Sequence, residues 1–310
     1  MENQSATHGI PSGWKVLFRS AASLLCLLGL VVSGGISPTT AMAEEPSAVF
    51  TSGALLPKHG DVAVGNDYGV FLGLDSDRME ILFDYSTVVI DAQYYTAEEI
   101  AELKQAGLTV YSYLNIGSIE KFRPGYAKFK KKTLGKYAGW PGEYWMSPAR
   151  QSWRNFIYAE AKALVAKDID GFFLDNADVY AKYRRTRIFN GLVKIFKKLN
   201  TYDLPIVVNG GDVFIKKAFL NPKKPKIKLT AVNQEDVFSR VTSKGVMTTQ
   251  TAKNTKYYTI YLTKCANAGL TVYLLEYVDI DNAELREIIN DYCAETGYIC
   301  YIASSRELDG

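Results

Sequence analysis

The sequence predicts an α/β fold, a (β/α)8 TIM barrel in a single domain, and three observations lead there. From Tyr68 onward eight short β-rich apolar runs alternate with helical stretches, the pattern of repeated βα units around a parallel sheet. The hexapeptide AGLTVY occurs twice, at 106–111 and 268–273, each time where a helix passes into a strand, as equivalent units should show. Acidic and amide residues follow the apolar runs, and a parallel barrel builds its site at the carboxyl ends of its strands. Eight units in about 240 residues also fit the usual size of that fold. The alternative, an open doubly wound sheet, lacks its phosphate-binding turn here and would gather its polar residues at one crevice.

The runs are YGVFLG (68–73), STVVIDAQ (86–93), TVYSYLNIG (109–117), GFFLDN (171–176), PIVVNGG (205–211), LTAVNQED (229–236), TVYLLEYV (271–278) and YICYIAS (298–304). Each is rich in the β-branched and aromatic residues that suit a pleated, buried surface. The helices between them carry recognisable ends. Thr96 and Glu99 form a capping box before Ile100 and Leu103, and Gly107 stands where that helix stops. Ser147 and Pro148 predict the start of a helix that turns Trp153, Phe156, Ile157, Leu164 and Val165 to the core. Asp281 and Glu284 predict the start of the last, with Ile288, Ile289 and Tyr292 on one side.

Ahead of the barrel, Lys15 and Arg19 precede an uncharged apolar run from Ala21 to Val32 that ends near Ala41, Met42 and Ala43. This is a secretory signal pattern over 1–43, with cleavage expected after Ala43. The run is shorter than the roughly 20 residues of a spanning helix, so no stable membrane insertion is expected after cleavage; an uncleaved anchor is the alternative. Residues 44–67 read as a linker rich in Pro, Gly and Ser, and 68–310 as the barrel domain. The expected location is secreted, periplasmic or cell-surface, and the expected state a monomer. Export would place Cys265, Cys293 and Cys300 in an oxidising compartment. One bridge, Cys293 to Cys300, with Cys265 a buried thiol is the expectation; three packed thiols are the alternative.

The formal charge of +3 names no partner. Two segments are locally basic, KFKKKTLGK at 128–136 and KKAFLNPKKPKIK at 216–228. Without interleaved aromatics or a nucleic-acid motif they read as solvated loops, and no nucleic-acid partner is expected.

Histidine usage excludes much. Past the signal the chain holds a single histidine, His59, in the linker, which leaves little for His-activated nucleophiles or His-rich zinc sites. Neither GxxxxGK[ST] nor a strand-to-helix GxGxxG is present, and no cofactor or metal is expected. Carboxylates remain for proton transfer and nucleophilic attack.

They fall at strand ends: Asp91 after the second run, Asn115 after the third, Asp175, Asn176 and Asp178 after the fourth, Asn209 and Asp212 after the fifth, Gln234, Glu235 and Asp236 after the sixth, and Glu276 after the seventh. Asp178, Asp212 and Asp236 equally suit helix caps. Asp175, Glu235 and Glu276 sit within the last residues of their strands, where a side chain is expected to reach the barrel mouth. Two such acids suit glycoside hydrolysis, in which one protonates the leaving oxygen and its ionised partner attacks the sugar or activates water. Tyr113, Trp140, Tyr144, Trp145 and Tyr180, in or near the loops after strands three and four, could offer flat faces to sugar rings.

YLNIGSIEKFR (113–123), PGEYWM (141–146) and IDGFFLDNADVY (169–180), with VVIDAQ in the second strand and the closing YIASSREL, resemble in order and spacing the endo-α-1,4-polygalactosaminidase family, glycoside hydrolase family 114, over roughly Tyr68 to Leu308. The resemblance implies a secreted TIM-barrel hydrolase that cuts polysaccharide of α-1,4-linked galactosamine or N-acetylgalactosamine. It maps the family's catalytic pair onto Asp175, as nucleophile or electrostatic stabiliser, and Glu235, as general acid/base, with the roles open to exchange. Asp91, Tyr113, Asn115, Glu143, Trp145, Asn176, Asp178 and Glu276 become the surrounding substrate-binding set. SIEK departs from the family's usual residues and leaves Glu120 without an assigned role. A non-catalytic carbohydrate-binding barrel is the alternative function, and a Mg²⁺-dependent phosphoesterase built on the acidic cluster a third.

Overall fold

A computed structural model describes residues 67–138, 140–221 and 226–310. The expected signal segment, His59 and all of the linker except Asp67 lie outside them.

Eight parallel strands form one sheet in chain order, each hydrogen-bonded to the next. They are β1 (Gly69–Phe71), β2 (Thr87–Ile90), β3 (Thr109–Asn115), β4 (Gly171–Asp175), β5 (Ile206–Asn209), β6 (Ala231–Glu235), β7 (Thr271–Tyr277) and β8 (Ile299–Ala303), one inside each predicted run. The ring is nearly closed. Its seam between β1 and β8 is filled by Phe71 against Tyr301, with ring centroids 5.4 Å apart, and spanned by the Gly73 N–H donating to the Leu308 carbonyl at 3.1 Å.

Period-2 alternation divides the apolar residues into two cores. Val70, Val89, Tyr111, Tyr113, Phe173, Val207, Ala231, Tyr273, Leu275 and Tyr277 fill the barrel interior with Tyr68 and Leu72. The alternate positions, such as Val88, Val110, Phe172, Leu174, Val208, Val232 and Leu274, face the helices. Truncating a side chain as enclosed as Phe173 costs about 3–5 kcal/mol.

The outer layer comprises α1 (Ala97–Gln105), α2 (Gln151–Val165), the short α3 (Val179–Tyr183), α4 (Thr186–Leu199), α5 (Asp212–Ala218), α6 (Ala252–Asn267) and α7 (Ala283–Thr296). The capping box of α1 forms as expected: the Thr96 hydroxyl accepts from the Glu99 N–H at 3.1 Å, and the Glu99 carboxylate accepts from the Thr96 N–H at 2.7 Å. Both AGLTVY copies make the same junction. Gly107 and Gly269 take φ of +93° and +84°, and the Leu108 and Leu270 N–H groups reach back to the carbonyls of Leu103 and Cys265, closing each helix as a Schellman-type turn does.

Three expectations are corrected. The helix predicted to open at Ser147 and Pro148 begins at Gln151. Residues 148 and 149 press on Gly191 of α4, where a Cβ would meet Pro148 at 2.3 Å, and their carbonyls accept from the Arg154 guanidinium at 2.7 Å, so they are held as a turn. The cap of α7 is Asn282, which accepts from the Leu285 N–H at 3.2 Å, and Ile288 is 47% exposed; the buried stripe is Leu285, Ile289 and Cys293. The Cys293–Cys300 bridge is not formed. Cys265, Cys293 and Cys300 are free thiols, and the Cys300 thiol lies 3.6 Å from the Asn290 side-chain oxygen.

Candidate active site

The interior stripe continues into polar residues at the top of the strands. Two residues past Val89 comes Asp91, past Tyr113 Asn115, past Phe173 Asp175, past Val207 Asn209, and past Ala231 first Asn233 and then Glu235. Strand parity therefore aims these side chains at the barrel axis. Registers set their levels: Asn115 pairs with Asp175, Asn209 with Asn233, and Glu235 with Leu275.

Above them lies a groove of about 590 Å³ whose lining includes Tyr113, Glu120, Glu143, Asp175, Asn209 and Glu235. Leu72, Phe122, Trp140, Pro141 and Leu308 supply its apolar walls, with Tyr277 beside Glu235. Two small sheets frame the mouth: Ser118–Glu120, Gly135–Lys136 and Glu143–Trp145 after β3, and Ser239–Val241 with Met247–Thr249 after β6. Gly117 lets the β3 loop approach Asn176, since a Cβ there would fall 1.8 Å from the Asn176 carbonyl oxygen.

Asp175 and Glu235 share one donor. The Asn209 side-chain nitrogen lies 3.2 Å from Asp175 Oδ1 and 2.6 Å from Glu235 Oε1, so those two oxygens are less than about 6 Å apart. Around Asp175 stand the Asn176 N–H at 2.8 Å, the Tyr113 hydroxyl at 3.1 Å and the Asn176 side-chain amide at 3.2 Å. Glu235 also accepts from the Tyr277 hydroxyl at 3.3 Å. Asn176 adopts φ of +64°, a left-handed conformation that asparagine tolerates better than most residues.

Burial, and then the charge of Glu235, push Asp175 up to about 8 against the donors that favour its anion. Burial raises Glu235 as well, opposed by Asn209, Arg306 and Tyr277. Two carboxyl groups this close titrate as a pair holding one proton over a wide pH range.

Of the residues expected to bind substrate, Tyr113, Glu143 and Asn176 line the groove. Glu143 accepts from Ser118, from Asn115 at 3.2 Å and from Asn176 at 3.1 Å; burial and the charge of Glu120 hold it well above the usual carboxylate range. The others take supporting places. Asn115 is buried beneath, fixing Glu143 and the loop at Ser118. Trp145 is 4% exposed and stacks on Tyr137 at 4.0 Å. Asp178 accepts from the Gly211 N–H at 2.9 Å and so ties the loop after β4 to the loop after β5. Asp91 is sealed in an ion pair with Arg123 at 2.7 Å, the two side chains 0% and 7% exposed. Glu276 falls between the inward Leu275 and Tyr277, so parity turns it toward the helix layer. There it accepts from the Val237 and Ser239 N–H groups at 2.9 and 2.8 Å and is 0% exposed.

Glu120, Asn209 and Tyr277 also line the groove; the sequence places Asn209 at a strand end but gives none of the three a role. Counting in twos from Val207 and Leu275 finds Asn209 and Tyr277; Glu120 carries no such signal, because its position depends on the small sheet in which it pairs with Glu143. Among the described residues no group of three or more His, Cys, Asp or Glu side chains is arranged to hold a metal ion, and no helix is long and apolar enough to cross a membrane.

Residues 57–310 match the model of glycoside-hydrolase family GH114. The glycoside hydrolase domain of PelA from Pseudomonas aeruginosa is similar in fold, with a TM-score of 0.67 and 18% identity over 80% of this chain and 96% of that domain. Aspergillus fumigatus Ega3, in complex with galactosamine, aligns with a TM-score of 0.61 and 18% identity over 80% of this chain and 94% of Ega3. An uncharacterised protein of Thermotoga maritima is 23% identical over 133 residues, and the match spans 41% of each chain.

Proposed function

The chain belongs to glycoside-hydrolase family GH114, and from that premise we propose that it cleaves polysaccharide of α-1,4-linked galactosamine or N-acetylgalactosamine, with Asp175 and Glu235 as its working carboxylates. The observation that carries this reading is the single Asn209 amide bridging both at the floor of the groove, 3.2 and 2.6 Å away.

Charge favours an amine-bearing sugar. The ionisable carboxyl groups lining the groove are Glu120, Glu143, Asp175 and Glu235, and no lysine or arginine is among the described residues that line it; Arg306, over the Tyr277 ring at 5.8 Å, is the cation that acts on Glu235. A protonated amino sugar would be drawn to this site, as opposite charge in a partly desolvated cleft is attracted strongly. The complex of Ega3 with galactosamine is consistent with that preference in a similar fold.

The donor set assigns the roles. The groups around Asp175 stabilise its anion, which suits the nucleophile that attacks the anomeric carbon and expels the leaving sugar. Glu235, with fewer donors, carries the proton of the pair, gives it to the leaving glycosidic oxygen, and then takes a proton from the water that hydrolyses the glycosyl-enzyme. Burial, the larger cause, and then the charge of Glu235 push Asp175 up; placing the shared proton on Glu235 removes the second, and the donors from Asn176, Tyr113 and Asn209 oppose the first. The short carboxylate separation supports retention of configuration. The signal pattern at 1–43 supports action outside the cytoplasm.

The test is Asp175→Asn and Glu235→Gln assayed for reducing ends released from a partly deacetylated α-1,4-galactosaminan. Each is expected to lower kcat/KM by at least about 10²–10⁴, with thermal unfolding no lower than wild type. Full activity in both sinks the assignment. Polymer binding without turnover by the wild-type chain favours a non-catalytic carbohydrate-binding barrel.

A further inference from the structure

Three stretches of the chain hold no acidic residue: 121–142, 179–202 and 213–234. Between them they contain more than half of the chain's 36 lysines and arginines, while the whole chain is only +3. Charge is therefore segregated. On the opposite side of the ring α7 carries Glu284, Glu287, Asp291 and Glu295 against Arg286 alone.

The fold brings the three stretches together. The loop strand at Gly135 abuts α3, since a Cβ on Gly135 would lie 3.2 Å from the Tyr183 hydroxyl. Short α3 packs on both α4 and α5. Lys217 and Lys226, from the third stretch, sit over the Phe189 ring of α4 at 4.6 and 5.5 Å. Lys128, Lys130 and Lys131 are exposed in the first stretch, and Arg187, Lys194, Lys197 and Lys198 on the outer side of α4. Among the described residues none of these cations is in an ion pair.

Solubility asks only for charge of mixed sign, whereas a field of one sign repels itself and destabilises the compact state. We propose that this face, centred on α4, binds a flexible linear polyanion carrying phosphate groups along its backbone, tethering the barrel to an anionic polymer while the acidic groove stays open. The large exposed apolar side chains among the described residues, Phe83, Val246, Tyr257, Ile260, Ile280 and Ile288, all fall outside the three stretches; Tyr257 borders the face, with Lys216 4.0 Å over its ring, and one such ring is little to insert into a bilayer. A flat anionic surface would also touch only a tangent of this convex wall, whereas a flexible chain can follow it. Among the described residues no aromatic side chain of the three stretches is exposed, and Tyr257 at the border already carries Lys216 over its ring, which leaves little platform for stacking bases.

The experiment measures binding of the full chain to labelled long-chain inorganic polyphosphate at about 50 and about 200 mM salt. Binding is expected at low salt and to weaken at least tenfold at high salt. Lys194→Glu/Lys197→Glu/Lys198→Glu is expected to weaken it at least tenfold, with hydrolysis of a short soluble substrate unchanged. Lys128→Glu/Lys130→Glu/Lys131→Glu, on a separate element, is expected to weaken it as well, so misfolding of one variant leaves the other decisive. The proposal is overturned by absence of binding at low salt, by equal binding of a folded variant, by capture on phosphatidylglycerol vesicles without polyphosphate binding, or by tighter binding to single-stranded DNA than to polyphosphate.

Discussion

The Asn233 side-chain amide donates to the Asn209 side-chain oxygen, Oδ1, at 2.8 Å, and that contact decides which end of Asn209 faces the acids. Asn233 is 1% exposed, and its own oxygen accepts from the Tyr68 hydroxyl at 3.2 Å. With Tyr68 fixing Asn233 and Asn233 fixing Asn209, the Asn209 nitrogen points at Asp175 and Glu235. A reversed amide would put a third oxygen between two carboxyl groups.

Asn233→Leu keeps the volume but leaves Asn209 free to turn. On the proposed mechanism kcat is expected to fall by roughly 10²-fold, the scale of a small misplacement of reacting groups, while KM stays near wild type. Steady-state kinetics beside Asn209→Leu checks this. A raised KM with unchanged kcat would place Asn233 in substrate binding instead.

Much of this arrangement was legible in the sequence. Strand placement was, because apolar runs bounded by turn residues are a local signal; strand ends offered Asp175, Glu235 and Glu276 alike, and the family resemblance singled out the first two. Side-chain direction was also legible, but only to someone counting in twos: Leu275 and Tyr277 inward oblige Glu276 to face outward. The Asp91–Arg123 pair was hidden, because Arg123 lies in an irregular loop whose path depends on packing against Tyr113, Tyr94 and Phe122, with its guanidinium 5.2–5.7 Å from their ring centroids. The Asn282 cap was one residue from the expected Asp281, a margin within which end signals are interchangeable.

Stability should depend on pH through the carboxyl pair of Asp175 and Glu235, whichever of the two holds the shared proton. Free carboxyls titrate near 4, and in the folded chain Asp175 is pushed up to about 8 and Glu235 is raised as well. Between those limits the native pair holds a proton that the unfolded chain has lost, so stability is full below about pH 4 and declines as pH rises toward 8. Asp178 and Glu276, each pushed up to about 7 chiefly by burial, act with the same sign. Asp175→Asn removes one titrating group; its Tm is expected to exceed that of wild type at pH 8, with the difference shrinking toward pH 4. An equal difference at both pH values argues against the raised carboxyl.

Activity should lose its alkaline limb when the pair gives up its shared proton. The limb in kcat/KM is expected near pH 8, from the value that burial and Glu235 impose on Asp175. Glu235→Gln removes the charge that opposes ionisation, so the Asp175 carboxyl, followed by carbon-13 NMR, is expected to titrate lower in that variant. An unchanged midpoint would remove Glu235 as a cause.

Stereochemistry follows from the carboxylate spacing. With the bridged oxygens less than about 6 Å apart there is little room for a water between acid and sugar, so the first product seen by proton NMR is expected to be the α-anomer. Initial release of the β-anomer would require the wider separation of an inverting site.

Asp91 is expected to matter for stability and hardly at all for binding. Its Oδ2 meets Arg123 at 2.7 Å in a site closed to solvent, and Arg123 also reaches Glu120 at 3.5 Å. Asp91→Ala leaves a buried guanidinium without its main counter-charge, which costs about 3–5 kcal/mol, whereas replacing both partners by apolar residues of similar size is often close to neutral. Urea unfolding is therefore expected to show a large loss for Asp91→Ala, a comparable loss for Arg123→Met, and substantial recovery in Asp91→Leu/Arg123→Met. Recovery should be incomplete, because Glu120 loses a cation whichever residue replaces Arg123. If Asp91→Ala instead unfolds like wild type and raises KM, Asp91 returns to the substrate-binding set.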